Sequence, residues 1–200
     1  ALCLLLAAAG ILALRAAPDR PLPSFREARE AHRPSEAILL DRHGEILHEL
    51  RVDLTRRSLE WTSLANVSPA LQKSIIASED RRFVRHHGVD WASLGHAVCT
   101  GIVSTRSRGA STISMQLVSF LDGKLRPKRS SRSLHQKWEQ IAAALELEKR
   151  WSKGEILEAY LNLVFLRGEL QGGSAAARGL FGKEPSGLQE SESLLLASLL

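Results

Sequence analysis

From about residue 62 to its end, the chain places apolar residues at helical intervals, and this spacing restricts the fold more than any other feature of the sequence. The segment "SPALQKSIIASEDRRF" begins with Ser68 as an N-cap and Pro69 as the first helical residue, where proline loses no hydrogen bond. A second helix is predicted from about residue 134 to 150. Its apolar side consists of Leu134, Trp138, Ile141 and Leu145. The sequence therefore predicts a mainly α protein.

Residues 37–50, "AILLDRHGEILHEL", do not follow this pattern. They predict two short strands around a turn from Asp41 to Gly44, in which glycine can adopt a positive φ. A short N-terminal β-hairpin is expected ahead of the helices.

The first residues, "ALCLLLAAAGILAL", carry no charge. Fourteen helical residues span about 21 Å, which is short of the roughly 30 Å hydrocarbon core of a bilayer. Residues 1–17 are therefore predicted to be a partial transmembrane anchor that is truncated at its start, with a cleaved signal peptide as the alternative. Residues 18–36 contain four prolines and mixed charge, which predicts a juxtamembrane linker.

The formal net charge of +5 indicates an anionic partner or surface. Nucleic acid, phospholipid and a phosphorylated substrate all satisfy that condition, and composition does not choose among them. The two cysteines, Cys3 and Cys99, form neither a disulfide framework nor a metal-ligand spacing.

Acidic and basic residues are crowded together in "SEDRRFVRHHGVD", residues 78–90. Glu79 lies three and four residues after two isoleucines and four before Phe83, so it is expected on a partly apolar helix face. Burial raises the pKa of a carboxylate and adjacent arginines lower it, and a carboxylate between these influences suits a general base. The alternative is a solvated carboxylate paired with Arg82 and Arg85, which the spacing alone favours.

Hydroxyl side chains follow a glycine in "RSRGASTISMQ". Gly109 before Ser111 and Thr112 at a helix start offers free backbone N–H groups to an anion. The alternative is a simple N-cap formed by one of the two hydroxyls.

The segment "GKLRPKRSSRSLHQK" has six lysines and arginines and no acidic residue. Lys137 lies at the edge of an apolar helix side, so its stem is expected to pack and its ammonium group to be directed. Lys128 and Arg129 are expected in a solvated basic loop.

Four ordered segments resemble motifs of the peptidoglycan glycosyltransferases of family 51. "EDRRFVRHHG" is similar to E-D-x-x-F-x-x-H-x-G, and "GASTISMQ" to G-x-S-T-x-x-x-Q. "RWSKGEILEAYLN" and "LFGKEPSGLQESESLLLASLL" resemble the two later motifs. The likeness runs from about residue 37 to the end, and "LVFLRGELQG" is most similar to the penicillin-binding protein 1C branch.

The resemblance implies a lysozyme-like helical glycosyltransferase domain at residues 37–200, truncated at its C-terminal end. Such enzymes polymerise lipid II, with a growing glycan on undecaprenyl diphosphate as donor and with inversion at the anomeric carbon. The implied location is the periplasmic side of the bacterial inner membrane, on a single-pass anchor, with no nucleic acid partner. Protein partners are not implied.

The resemblance also assigns the site residues. Glu79 matches the general base. Ser111, Thr112 and Gln116 match the motif that lines the donor cleft, and Lys137, Lys153 and Arg132 match or assist the cations that meet the diphosphate. The residues matching positions that shape the motifs are Asp80, Phe83, His86, Gly88 and Gly109.

One motif departs from the family pattern R-K-x-x-E. Counting back from Trp151 places "QKWEQ" there, so Gln140 occupies the position of the family's second glutamate, as in the 1C branch. An amide holds a hard cation poorly, and Glu139 lies about 100° away around the helix. The sequence requires no cofactor, while Mg²⁺ or Mn²⁺ on the substrate diphosphate, and its ligands, stay open.

Two other functions fit parts of the sequence. A non-catalytic module that binds anionic lipid would explain the charge and the anchor, but not Glu79 within its motif. A lysozyme-like hydrolase would cleave glycan instead of building it. These residues contain no S-x-x-K motif, so we expect no acylation by penicillin.

Overall fold

The computed structural model describes residues 22–99, 111–125 and 134–200. The helices are α1 (Phe25–Ala31), α2 (Pro69–Glu79), α3 (Trp91–Cys99), α4 (Ile113–Leu121), α5 (Leu134–Arg150), α6 (Lys153–Leu163), α7 (Gly173–Phe181) and α8 (Glu190–Ser198). The strands are β1 (Glu36–Leu40), β2 (Ile46–Arg51), β3 (Arg57–Ser58), β4 (Phe165–Arg167) and β5 (Leu170–Gln171). The prediction of a mainly α protein is confirmed.

The predicted hairpin is also confirmed. Strands β1 and β2 pair antiparallel, from Glu36 opposite Arg51 to Leu40 opposite Ile46. The Asp41 carboxylate accepts hydrogen bonds from the backbone of the turn, and Gly44 has a φ of +83°. A separate small sheet has the order β3-β5-β4, with β3 parallel to β5.

Hydroxyl side chains cap the starts of α2, α4 and α6. Ser68 accepts from the backbone N–H of Ala70 at the start of α2, as predicted. Thr112 caps α4 by accepting from the N–H of Met115. Ser152 and Glu155 form a reciprocal capping box that begins α6.

The main core lies between α2, α4, α5 and α6. Its largest fully buried side chains include Tyr160, Phe83, Leu71, Ile75, Ile113, Leu117, Leu147 and Ile156. A smaller cluster joins Val89 to α4 and α5 through Met115, Ile141 and Ala144. The predicted apolar side of α5 packs in the smaller cluster, through Trp138, Ile141 and Leu145. Ala143 and Leu147 of the same helix belong to the main core.

The segment predicted as a linker contains α1, which packs onto the domain. Ser24 and Glu27 form a capping box at its start. The Phe25 ring makes edge contacts with Trp61 and Trp151, at centroid distances of 6.1 and 5.4 Å. Among the described helices, none has the length and apolar character needed to cross a membrane. The predicted anchor at residues 1–17 lies outside the described residues.

Helix α2 ends earlier than its sequence pattern predicts. It stops at Glu79, since Asp80 has a φ of −157° and a ψ of 75°. Phe83 therefore does not share a helix face with Glu79, and lies instead in a separate 3₁₀ turn, Phe83–Arg85. Its ring is still 1% exposed, so the core holds it after the helix has ended.

Candidate active site

A cavity of about 370 Å³ opens at the C-terminal end of α2. Its lining comes from three segments that are distant in sequence: the end of α2, the start of α3 and the start of α4. The lining residues are Ser78, Glu79, Asp80, Arg81, Arg82, Asp90, Ser93, Ser111 and Thr112. The structure thus brings predicted members of the first two motifs together in one cavity.

Glu79 is the last residue of α2 and is partly buried at the cavity wall. Its Oε2 accepts a hydrogen bond of 2.8 Å from Nε2 of Gln116. Tyr160 donates its phenolic hydrogen to Oε1 of the same amide at 3.1 Å. Burial, and then the charges of Glu79 and Asp80, raise the pKa of Tyr160 far above its usual range.

Asp80 faces away from solvent, with 6% of its surface exposed. Its carboxylate accepts hydrogen bonds from the backbone N–H of Ile113, at 3.1 Å, and from Nε2 of His86, at 2.9 Å. The negative charge lies at the N-terminus of α4, where the helix dipole stabilises it. Asp80 therefore joins the first motif to the second.

Gly88 brings the same loop against α5. Its φ is +86°, and a Cβ at this position would lie 2.7 Å from the carbonyl oxygen of Ala144. The Gly88 carbonyl accepts a 2.6 Å hydrogen bond from the hydroxyl of Thr112. Only glycine satisfies both the backbone conformation and the close approach.

Arg82 does not pair with Glu79, contrary to the alternative that the spacing favours. Its guanidinium bonds to Asp90 at 2.8 Å and to the Ser93 hydroxyl at 2.8 Å. Burial alone would raise the pKa of Asp90, but hydrogen bonds from Ser93 and the charge of Arg82 bring it below its usual value. This network supports the cavity wall opposite α4.

Lys137 is hydrogen-bonded to a residue of the second motif. Its Nζ donates a 2.6 Å hydrogen bond to the hydroxyl of Ser111, which lines the cavity. The side chain is partly buried. This position agrees with the packed stem and directed ammonium group expected from the helix pattern.

Lys153 has a partner that the sequence reasoning missed. Its Nζ bonds to Oε1 of Glu148 at 2.7 Å and lies 4.4 Å from the centroid of the Phe83 ring. The Glu148 side chain is only 3% exposed and also accepts from the hydroxyl of Ser114. The sequence spacing could have indicated that Glu148 is buried, because it falls seven residues after Ile141 on the apolar side of α5.

Gln140 is 5% exposed. Its Nε2 donates to the Ser119 hydroxyl at 2.8 Å and to the Leu125 carbonyl at 2.9 Å. Both acceptors are oxygens that suit the N–H donors of an amide and would repel an ionised carboxylate at this position. In residues 22–99, 111–125 and 134–200, no group of three or more His, Cys, Asp or Glu could hold a metal. The site therefore does not fit a cation held from this position.

Two predicted site residues, Gly109 and Arg132, lie outside the described residues, as do Lys128 and Arg129. The other predicted residues fall into two neighbouring groups. Glu79, Ser111 and Thr112 line the cavity, with Gln116 and Lys137 bonded to lining residues. Lys153 belongs to the second group, around Phe83 and Glu148.

Comparison with known proteins identifies the family. The family model described as "Transglycosylase" matches residues 43–200. The biosynthetic peptidoglycan transglycosylase of Mannheimia succiniciproducens is 35% identical over 159 residues, which cover 78% of this chain and 62% of the relative. The protein of the same name from Rhodospirillum centenum is 39% identical over 140 residues, covering 70% and 58%.

A penicillin-binding protein also occurs among the relatives. Penicillin-binding protein 2D of Bacillus subtilis is 30% identical over 179 residues, covering 89% of this chain and 25% of that protein. The chain thus spans about three fifths of the two transglycosylases and a quarter of the penicillin-binding protein. With the family model matching most of its length, the chain belongs to the transglycosylase family.

Proposed function

We propose that this protein is a peptidoglycan glycosyltransferase that polymerises lipid II, with Glu79 as the general base. The observation that carries the proposal is the Glu79 carboxylate at the cavity wall. One of its oxygens is bound by Gln116, and the hydroxyl of Ser111 in the same cavity is bound by Lys137. A base on α2 and a cation on α5 thus lie at the same cavity.

The proposed reaction joins two lipid-linked substrates. The 4-hydroxyl of an incoming lipid II attacks the anomeric carbon of the growing glycan, and its proton passes to Glu79. The new C–O bond forms as the bond from that carbon to the diphosphate oxygen breaks. Undecaprenyl diphosphate leaves with the electron pair, and attack from the opposite face inverts the anomeric configuration.

The departing diphosphate needs positive charge. Lys137 is the first candidate, since its Nζ already bonds to a cavity-lining hydroxyl. We propose the same role for Arg132 and for Lys153, although the charge of Lys153 is partly balanced by Glu148. Cations placed before the reaction stabilise the developing charge without reorganisation. No step is assigned to a metal ion.

The cavity supports a transferase over a lysozyme-like hydrolase. Glycoside hydrolases of the usual kind use two carboxyl groups that flank the scissile bond. Besides Glu79, the carboxylates lining the cavity in the described chain are Asp80 and Asp90. Asp80 is engaged by His86 and α4, and Asp90 by Arg82 and Ser93. Neither is available as the second catalytic carboxyl group.

The proposal includes a membrane location. A lipid-linked substrate requires the cavity to lie near a bilayer, so we propose the periplasmic face of the inner membrane, with residues 1–17 as a single-pass anchor. The assignment to the penicillin-binding protein 1C branch also stays a prediction.

The test is to incubate the purified protein with lipid II in detergent. We expect loss of lipid II, release of undecaprenyl diphosphate, and glycan whose linkages have the β configuration that inversion produces. A parallel reaction on finished glycan strands should leave them intact. Shortened finished strands, or lipid II that is bound but not consumed, would instead support a hydrolase or a binding module.

A further inference from the structure

We propose that Tyr160 is a positioning residue for the reaction, and that it acts on Glu79 through the amide of Gln116. The inference rests on the proposed function, because it concerns the base of that reaction. The three side chains come from α6, α4 and α2, so the chain of hydrogen bonds links the base to two other helices.

The amide of Gln116 has two possible orientations, and its two neighbours select one. An ionised carboxylate only accepts hydrogen bonds, so Glu79 requires the NH₂ group of Gln116. Tyr160 donates its O–H to the amide oxygen at 3.1 Å, which leaves the NH₂ group directed at Glu79, at 2.8 Å. In the flipped amide, the oxygen of Gln116 would face the carboxylate and lose this attraction.

Tyr160 is suited to hold this orientation at every pH at which the enzyme works. It has 0% of its surface exposed, and burial together with the nearby negative charges raises its pKa, so the phenol keeps its proton. Its ring packs 6.1 Å from that of Phe120, centroid to centroid. A buried and packed ring presents its hydroxyl in one position.

The two carboxylate oxygens of Glu79 therefore differ in their hydrogen bonding. Gln116 binds Oε2, and no hydrogen bond from a described residue reaches Oε1. Oε1 is therefore the atom we assign to the incoming hydroxyl. A donor on Oε2 favours the ionised form of the carboxylate, which is the form that a general base requires.

Other charged groups face Glu79 as well. Asp80, Arg81, Arg82 and Asp90 line the same cavity, and Arg82 and Asp90 largely balance each other. Lys137 approaches from α5 through Ser111. The hydrogen bonds described for Arg82, Asp90 and Lys137 do not involve the Tyr160 hydroxyl, so a change in pH dependence in the Tyr160→Phe variant reports on the hydrogen-bond chain.

The test is the pH profile of lipid II polymerisation by Tyr160→Phe. Without the phenolic hydrogen, the Gln116 amide oxygen loses the hydrogen bond from Tyr160, and the NH₂ group is held less firmly against Glu79. We expect the acid limb of the kcat/KM profile to move up by about 0.5 to 1 pH unit. We also expect kcat on the acid limb to fall about 3- to 10-fold, with KM changing less than about 2-fold, because substrate contacts are unaffected.

Three further variants identify the cause. Phe120→Leu disturbs the same packing without touching a polar atom, so its pH profile should match wild type. Gln116→Met should shift the acid limb at least as far as Tyr160→Phe, and adding Tyr160→Phe to it should cause no further shift. An unshifted limb in Tyr160→Phe, an equal shift in Phe120→Leu, or additive shifts would each overturn the relay. The proposed function is tested separately by Glu79→Gln, which should lower the rate by about 10²- to 10⁴-fold at every pH.

Discussion

At the scale of single residues, the polar side chains around the cavity bond mostly across segments and not to their sequence neighbours. Glu79 bonds to Gln116, Asp80 to the start of α4, and Lys137 to Ser111. The residue types were predictable from the motifs. Their partners were not, because the intervening residues number 25 or more and sequence spacing carries no information about such contacts.

Lys137 provides a prediction at this scale. Lys137→Ala should lower kcat/KM for lipid II by about 10- to 100-fold, the value of one hydrogen bond to a charged group. Both binding and turnover should suffer, because the same charge meets the diphosphate before and during departure. Lys73→Ala removes an equal charge from an exposed position on α2 and is the control. Equal losses in the two variants would mean that only net charge matters.

Gly88 gives a second prediction, measured as stability. Gly88→Ala should reduce the free energy of unfolding by about 2 to 4 kcal/mol, from the positive φ and from the contact with Ala144. Gly44→Ala shares the positive φ but meets nothing within 4 Å, so it should cost only about 1 to 2 kcal/mol. Urea denaturation of both variants separates the two contributions. If both variants lost the same unfolding free energy, the close contact between residue 88 and α5 would not restrict the side chain at that position.

At the scale of helices, beginnings were more predictable than ends. The N-caps of α2 and α6 are local, since Ser68 and Ser152 bond within their own first turns. The end of α2 is decided by distant contacts. Asp80 bonds to His86 and to the N-terminus of α4 instead of continuing the helix. Helix α2 therefore ends at Glu79, although the apolar spacing in the sequence continues to Phe83. Helix propensity is a weak preference that such tertiary contacts override.

Gln140 connects α5 to α4 and to the 3₁₀ turn Gly123–Leu125, and this connection gives a third prediction. Gln140→Glu would put a carboxylate against the Leu125 carbonyl. Burial raises the pKa of the new carboxyl group in the folded protein, because only its protonated form can donate there. The variant should resemble wild type below about pH 4 and lose about 2 to 3 kcal/mol of stability by pH 7.

The measurement is the difference in free energy of unfolding between variant and wild type across this pH range. Glu146→Gln changes the charge of α5 by one unit at a partly exposed position and should change stability by less than about 0.5 kcal/mol. If Gln140→Glu proved as stable as wild type at pH 7, and its activity rose with added Mg²⁺, the assignment of this position to helix packing would be wrong.

At the scale of the whole molecule, the fold brings distant motifs together by packing α2, α4, α5 and α6 around one core. The sequence predicted the helical class and the hairpin, and its candidate site residues include four that line the cavity, Glu79, Asp80, Ser111 and Thr112. It did not predict that α1 packs on the domain through Phe25, or that buried Glu148 holds Lys153. Both depend on aromatic and ionic contacts between segments that local patterns do not pair.

The central claim is that Glu79 is the base, and Glu79→Gln tests it most directly because the amide keeps the shape of the side chain. The measurement is the initial rate of lipid II polymerisation, with thermal unfolding to verify the fold and Glu49→Gln, on the exposed hairpin, as control. We predict a loss of about 10²- to 10⁴-fold for Glu79→Gln, with an unchanged fold, and a near wild-type rate for the control. A Glu79→Gln rate within a few-fold of wild type would contradict the account.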